Sequence, residues 1–204
     1  MFSILLQAGW PIWPLLLASI VAMALIFERL AALRRSRVIP PGLLQRVAAE
    51  YQQHGGMSDA ALSALEAQSP FGRILAAGLR NLGCQREIVR EAIDEAADIV
   101  DHELGRYLTT LGTIASASPL MGLFGTIVGM IEIFGSQSPG GASDPLQLAR
   151  GISIALYNTG FGLVIAIPSM IFWRHFRAQV SGFILEMEQQ TLRLIDILQT
   201  KRRG

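Results

Sequence analysis

Hydroxyl and amide side chains interrupt two long apolar stretches of this 204-residue chain. The first stretch contains Thr113, Ser116, Ser118 and Thr126, and the second contains Ser153, Asn158 and Thr159. Such side chains offer hydrogen bonds either to a neighbouring helix or to the carbonyls of their own helix. In a membrane they usually face protein or a water-filled cavity rather than lipid, so we expect them inside an assembly.

Glu132 is the only acid near either stretch, and it lies close to the end of the first. Two interpretations stay open for it: a solvated carboxylate at the membrane interface, or a group that attracts ions or contacts a partner. Ser153 and Asn158 are further candidates for an ion or partner contact, because they are polar groups inside an apolar window.

Small residues and prolines are the other unusual feature of these stretches. Gly122, Gly125 and Gly129 lie on one side of a helix, and the last two have the spacing at which membrane helices pack closely. Pro119 and Pro168 fall near the middle of their stretches, where proline removes a helical hydrogen bond and allows a kink. Helix packing alone explains all five residues.

Three windows of the chain, 1–27, 107–131 and 151–173, carry no charged residue. Each meets the need of about 20 apolar residues for a helix that crosses a bilayer. We therefore predict an all-α integral membrane protein with spans at about 10–32, 110–134 and 150–173. A cleaved signal peptide is a poorer interpretation of the first window, since it contains Pro11 and Pro14 and lacks a preceding basic residue.

The basic residues predict the topology. Of the 17 Lys and Arg residues, 10 lie within 28–106, 6 lie after 173, and only Arg150 lies between the second and third spans. The positive-inside rule places the insert 33–108 and the tail 174–204 in the cytoplasm. We expect residues 1–204 to form a single domain in a bacterial inner membrane, with the N-terminus and the 135–150 connection in the periplasm.

Cap and turn residues divide the cytoplasmic insert into helices. Pro40-Pro41 is expected to start a helix that runs to Gly55-Gly56, and Ser58-Asp59 and Ser69-Pro70 are expected to start two more. From Gln85 onward the apolar residues recur at helical spacing, and we expect this helix to continue into the second span.

The third long helix is expected to begin at Asp144-Pro145, a cap followed by a first-turn proline, and to persist to about Gln199. Its tail carries an apolar stripe, which needs a packing partner. The stripe consists of Val180, Phe183, Ile184, Met187, Leu194 and Leu198.

Several function classes find no support. The net charge of +1 gives no nucleic-acid footprint. Cys84 stands alone, so it forms neither an internal disulfide nor a thiolate metal site, and the three histidines lack metal-ligand spacing. No phosphate-binding loop, nucleophile elbow or dinucleotide fingerprint is present, so we predict no cofactor and no enzyme activity.

The sequence resembles the MotA/TolQ/ExbB proton channel family, and it is closest to the ExbB/TolQ branch. The segments that carry this resemblance are Phe27-Glu28-Arg29-Leu30, the run from Pro119 to Met130, and the run from Gly151 to Pro168 that includes Thr159. The resemblance covers nearly the whole chain, and the topology deduced from the charges agrees with it.

The resemblance implies a homopentamer around two copies of a single-span ExbD/TolR-like partner, with a TonB/TolA-like effector further along. It also implies that spans two and three line a pore, with Thr126 and Thr159 as pore-lining hydroxyls near an aspartate of the partner. The chain departs from the ExbB/TolQ pattern at Ile154, where the family usually has a glutamate.

Two functions remain open at this stage. The first is an ion-driven stator subunit that couples proton-motive force to mechanical work. The second is a structural scaffold of the same architecture that does not conduct, and Ile154 motivates it. A membrane-embedded enzyme is a third class, which no residue supports. Membrane lipids are an expected partner in every case, and nucleic acid in none.

Overall fold

The structure, a computed structural model, describes residues 10–135 and 145–203. The side chains of Glu132, Arg150, Ile154 and the segments 145–148 and 201–203 lie outside that description. Within the described ranges every regular element is a helix, so the predicted all-α class is confirmed. Residues 136–144 of the predicted connection, which include the expected Asp144 cap, fall outside the described residues.

The helices follow one another in the order α1 Ile12–Ala32, α2 Arg35–Val38, α3 Leu43–His54, α4 Asp59–Gln68, α5 Pro70–Arg80, α6 Arg86–Leu104, α7 Leu108–Gly135 and α8 Pro145–Arg203. Among the described residues, three helical stretches are long and apolar enough to cross a membrane: α1, α7 and the Gly151–Thr200 part of α8. Each overlaps one of the three predicted spans, and the third extends well beyond the predicted end at 173.

Local capping chemistry explains where the short helices begin. The hydroxyl of Ser58 accepts a hydrogen bond from the Ala61 amide at the start of α4, and Ser69 accepts one from the Gly72 amide at the start of α5. The predicted start of α3 at Pro40-Pro41 is wrong. Gly42 has a left-handed φ of 77°, which no helix interior accommodates, so α3 begins at the next residue, Leu43.

The predicted continuation of α6 into the second span is also wrong. α6 ends at Leu104, and α7 begins only at Leu108. Between them Tyr107 has a φ of 66°, a left-handed conformation that residues other than glycine rarely adopt. This left-handed residue ends the helical hydrogen bonding, although the apolar periodicity alone predicts that the helix continues.

The chain divides into two compact units. The first comprises Met1–Glu28 and Tyr107–His175 and is called the membrane unit; the second comprises Arg29–Arg106 and Phe176–Gly204 and is called the helical unit. In the membrane unit, Trp10 packs edge-on against Phe124 with ring centroids 6.0 Å apart.

The helical unit has its own core, and the apolar stripe of α8 belongs to it. Five of the six stripe residues are buried within the chain, and Ile184 is half-buried. Gly78 of α5 lies between α6 and α8, because a Cβ on it would be 3.2 Å from Ile93 and 3.1 Å from Thr191. The packing partner predicted for the stripe is therefore the rest of the same chain.

Arg29 is a buried cation at the end of α1, with only 6% of its surface exposed. Its guanidinium donates to the carbonyl of Leu104, the last residue of α6, at 2.9 Å. A cation at a helix C-terminus is favourable, since the exposed carbonyls there carry partial negative charge. Nearby in the same unit, the amide of Gln179 donates to the carbonyl of Leu33.

Candidate functional site

Two threonines meet between α7 and α8 in the membrane unit. The hydroxyl oxygens of Thr126 and Thr159 lie 2.5 Å apart, so one hydroxyl must donate to the other. The Gly122 carbonyl oxygen is 3.0 Å from the Thr126 hydroxyl and 3.3 Å from the Thr159 hydroxyl, and it can accept from either. Sequence and structure thus bring the two candidate hydroxyls onto one shared acceptor.

The proton arrangement of this cluster is degenerate. Each hydroxyl has one proton to donate and two lone pairs that accept. Either Thr126 donates to Gly122 and receives from Thr159, or the roles are exchanged. In both arrangements the pair keeps unused acceptor capacity, and both side chains are only half-buried. The cluster can therefore accept a hydrogen bond from water or from another donor that reaches it.

Glycines allow this contact by letting the two helices approach closely. A Cβ on Gly122 would lie 2.8 Å from the Asn158 carbonyl oxygen and 3.0 Å from the Cα of Thr159. One on Gly125 would lie 2.9 Å from the Asn158 side chain, and one on Gly129 would lie 3.4 Å from Ala155. All three glycines of the predicted face turn toward α8 of the same chain.

Two further glycines in this packing were missed by the sequence reasoning. A Cβ on Gly162 would lie 2.5 Å from the Ser118 carbonyl oxygen, and one on Gly112 would lie 2.9 Å from the Trp173 indole nitrogen. Spacing within one helix could not reveal either, because each is defined by the register between two helices. The approach of an α8 glycine to the α7 backbone is what brings Thr159 within reach of Gly122.

The structure describes the surroundings of most of the remaining candidate residues. Ser153 is exposed and donates to the carbonyl of Ala149 on its own helix, whereas Asn158 is buried against Gly125. Glu132 belongs to α7, but its side chain lies outside the described residues. Pro119 and Pro168 lie inside α7 and α8, and both helices continue through them.

Hydroxyls nearer the start of α7 are bonded to their own helix. Thr113 donates to Thr109, Ser116 to Gly112 and Ser118 to Ile114, each to a carbonyl four residues earlier. For these residues, back-bonding to the helix accounts for the polar side chain. Within the described residues, no group of three or more His, Cys, Asp or Glu side chains could hold a metal ion.

One carboxylate outside the spans has a shifted pKa. Burial in the helical unit raises the pKa of Glu188 above its ordinary value, and the carboxylates of Asp94 and Asp98 raise it further. Arg90 acts in the opposite direction. Like-charge repulsion along the α6–α8 boundary is therefore part of the electrostatics of this unit.

Comparison with known proteins bears on what this arrangement is. The family model for the MotA/TolQ/ExbB proton channel family matches residues 66–189, which include both threonines and the glycine contacts. The chain belongs to this family. The membership confirms the resemblance drawn from the motifs, and it makes this protein a member of a family of membrane channels.

Individual MotA/TolQ/ExbB relatives cover most of the chain. It is 34% identical to an ExbB-like biopolymer transport protein of Synechocystis over 86% of this chain and 85% of the relative. It is 30% identical to biopolymer transport protein exbB1 of Vibrio cholerae over 80% and 73% of the two chains. The Tol-Pal system protein TolQ of Pseudomonas aeruginosa is 27% identical over 81% and 76%.

Proposed function

We propose that this chain is the ring-forming subunit of a proton-driven machine in the bacterial inner membrane. Five copies surround two single-span partners of the ExbD/TolR type, and proton flow through the assembly becomes mechanical work on a TonB/TolA-like effector. The support is family membership, since its relatives are named for biopolymer transport and for the Tol-Pal system. The structural observation that supports a site for proton passage is the Thr126–Thr159–Gly122 cluster.

The cluster suits proton passage in a specific way. A carboxylic acid on a partner helix can donate to one threonine hydroxyl while water bonds to the other. The shared Gly122 carbonyl then accepts a hydrogen bond from whichever hydroxyl does not donate to the other threonine. Because both arrangements keep the same atoms bonded, the cluster can reverse its direction without moving either helix.

The proposed topology follows from the charges. The basic residues support a cytoplasmic location for the helical unit and a periplasmic N-terminus. Spans two and three then line the pore, and Ser153 and Glu132 are ion or partner contacts on its periplasmic side, whereas the buried Asn158 packs inside the subunit. The function requires no cofactor and no enzymatic group, and the lipid bilayer is the only other partner.

Proton flux into vesicles that contain the purified complex tests the proposal. The chain is co-expressed with a single-span protein of the ExbD/TolR type, reconstituted, and exposed to a membrane potential with a pH-sensitive dye inside. We expect flux that needs both proteins. A ring that forms with its partner and conducts nothing would support the non-conducting scaffold, which Ile154 at the usual glutamate position favours.

A further inference from the structure

Two helix faces of the helical unit expose large apolar side chains among charged ones. The acidic face, on α6, consists of Ile88, Glu91, Glu95 and Ile99, and its two isoleucines are 47% and 49% exposed. The basic face, on α8, consists of Gly182, Leu185, Gln189 and Arg193, and its leucine is 56% exposed. Leu185 lies 12 residues beyond the third apolar window, which is about 18 Å along the helix.

The two faces carry opposite charge. α6 contains seven carboxylates against two arginines, so it concentrates negative charge. Between Arg174 and Thr200, α8 carries three arginines, all exposed, and three acids, of which Glu186 is bound to Arg35 and Asp196 to Arg86. Glu91 and Arg193 form no salt bridge with the residues that the structure describes.

The register between α6 and α8 shows which of these residues lie at the same height along the two helices. The helices are antiparallel, because Arg86 at the start of α6 meets Asp196 near the end of α8, while Ile93 and Thr191 meet at Gly78. Toward the Arg86–Asp196 end, Glu91 lies two residues from Ile93, and Arg193 lies two residues from Thr191. Toward the other end, Ile99 lies six residues from Ile93, and Leu185 lies six residues from Thr191.

We propose that the acidic face of one copy docks on the basic face of the next copy in the ring. This inference rests on the proposed function, because it names the surface through which the proposed ring closes. A rotation that relates one copy to the next, about an axis parallel to these helices, keeps each residue at the same height along that axis. Glu91 therefore meets Arg193 of the neighbour, and Ile99 packs onto the neighbour's Leu185.

The geometry of the basic face supports this contact. Gly182 stands one turn from Leu185 on the exposed side, and a Cβ on it would meet nothing within 4 Å. This leaves room for an isoleucine from another helix. The two faces differ in sequence and charge, so the contact is head-to-tail, which is the kind that closes a ring rather than a two-fold dimer.

Disulfide crosslinking in membranes tests the inference. The variant combines Ile99→Cys and Leu185→Cys in a Cys84→Ser background, and it is oxidised and run on a non-reducing gel. We expect a ladder of linked species up to five copies, whereas either single cysteine gives none. The matched control, Ile88→Cys with Leu185→Cys, shifts one thiol by 11 residues, or about 16 Å, and should give no ladder.

Charge reversal supplies an independent readout. Glu91→Arg and Arg193→Glu should each lower the fraction of five-copy rings in native mass spectrometry, and the double reversal should restore it. Intact rings with neither crosslink nor charge effect would overturn this inference and leave the proposed function standing. Absence of rings in the unmodified protein would overturn both, and links only to a different protein would show that another partner occupies the acidic face.

Discussion

Gly122 and Gly162 face each other across α7 and α8, so that a Cβ on either would lie 3.2–3.3 Å from the Cα of the other. The would-be Cβ atoms also approach backbone carbonyl oxygens, which cannot turn aside as a flexible side chain can. The hydroxyl cluster at Thr126 and Thr159 exists because the two helices are this close. The predictions below begin from that dependence.

Gly162→Ala should destabilise the membrane unit. Its new Cβ would lie 2.5 Å from the Ser118 carbonyl oxygen, so the helices must separate. Overpacking of this kind typically costs about 1–3 kcal/mol. Thermal unfolding in detergent, followed by tryptophan fluorescence, should show a lower midpoint. Gly160→Ala is the control, because nothing lies within 4 Å of its Cβ position, and an equal loss there would refute the explanation.

Thr126→Val and Thr159→Val should each slow proton flux while leaving the ring intact. Losing one partner of a desolvated polar contact typically costs about 1–3 kcal/mol, which corresponds to roughly 5- to 150-fold in rate if the contact forms in the transfer step. The two hydroxyls share one contact, so the double variant should resemble the slower single variant instead of multiplying the losses.

Thr113→Val is the matched control for the threonine variants, since the Thr113 hydroxyl bonds only to the carbonyl of Thr109 on its own helix. Flux and ring yield are measured on the same preparations. Normal flux in both threonine variants would remove the cluster from the ion pathway. Loss of the ring in both would reduce the hydroxyls to packing elements.

Arg29→Ala should destabilise the helical unit, because the Leu104 carbonyl would lose a buried, charge-assisted donor. Hydrogen bonds to charged groups contribute about 1.5–3 kcal/mol. Limited proteolysis should cut earlier near residues 104–107 in this variant than in the unmodified protein. Arg34→Ala removes an exposed arginine from the same segment and should change little; similar proteolysis of the two variants would contradict the role given to Arg29.

Glu188→Gln should stabilise the protein at neutral pH. The folded state raises the pKa of Glu188 through burial and through Asp94 and Asp98, so folding favours the protonated form. The associated stability is complete below the ordinary value of 4.5 and is lost as the pH rises through the folded pKa. The gain from glutamine should therefore be a few degrees at most near pH 7, and it should vanish below about pH 4.5.

Glu186→Gln should have the opposite effect and destabilise the protein. Glu186 accepts from Arg35 at 2.5 Å and from Gln190 at 2.9 Å, so glutamine at this position would lose the salt bridge with Arg35 instead of removing a repulsion. Thermal midpoints of both variants at pH 7 separate the two effects. Stabilisation of the same size from both substitutions would mean that net charge, and not the local partners, controls the outcome.

Cys84 should react with membrane-impermeant maleimide in inverted vesicles and stay unlabelled in intact spheroplasts. The thiol is exposed, and the charge distribution predicts that residues 28–106 lie in the cytoplasm. Mass spectrometry of the labelled peptide provides the measurement. Labelling in spheroplasts would show that the topology is the opposite of the predicted one, and that protons enter from the other side.

Much of the architecture could be predicted from the sequence, because long uncharged windows and helix caps act locally. The three spans and the helices that start after Ser58 and Ser69 depend only on nearby residues. Motif resemblance likewise identified the family and chose Thr126 and Thr159. Their contact with each other is a different matter, since it depends on the register of two helices and no pattern within one helix encodes it.

The wrong helix boundaries have local causes. Apolar periodicity continues through 104–108, yet the backbone turns at Tyr107 and the helix stops, and Gly42 delays the start of α3. The sequence predicted that the glycine face and the α8 stripe need packing partners, and the chain's own helices cover the glycine face and most of the stripe. Periodicity shows that a face needs a partner, and it is silent on whether that partner is the same molecule.

The covered α8 stripe has a consequence for how the machine is built. A subunit whose Met187 and Val180 are already buried does not need a neighbour in order to fold. Each copy can therefore fold fully before it assembles. Its melting temperature should not rise with protein concentration, as it does in obligate oligomers. Under the proposed function, a reserve of folded subunits can exist before assembly, and the supply of the single-span partner sets the number of rings.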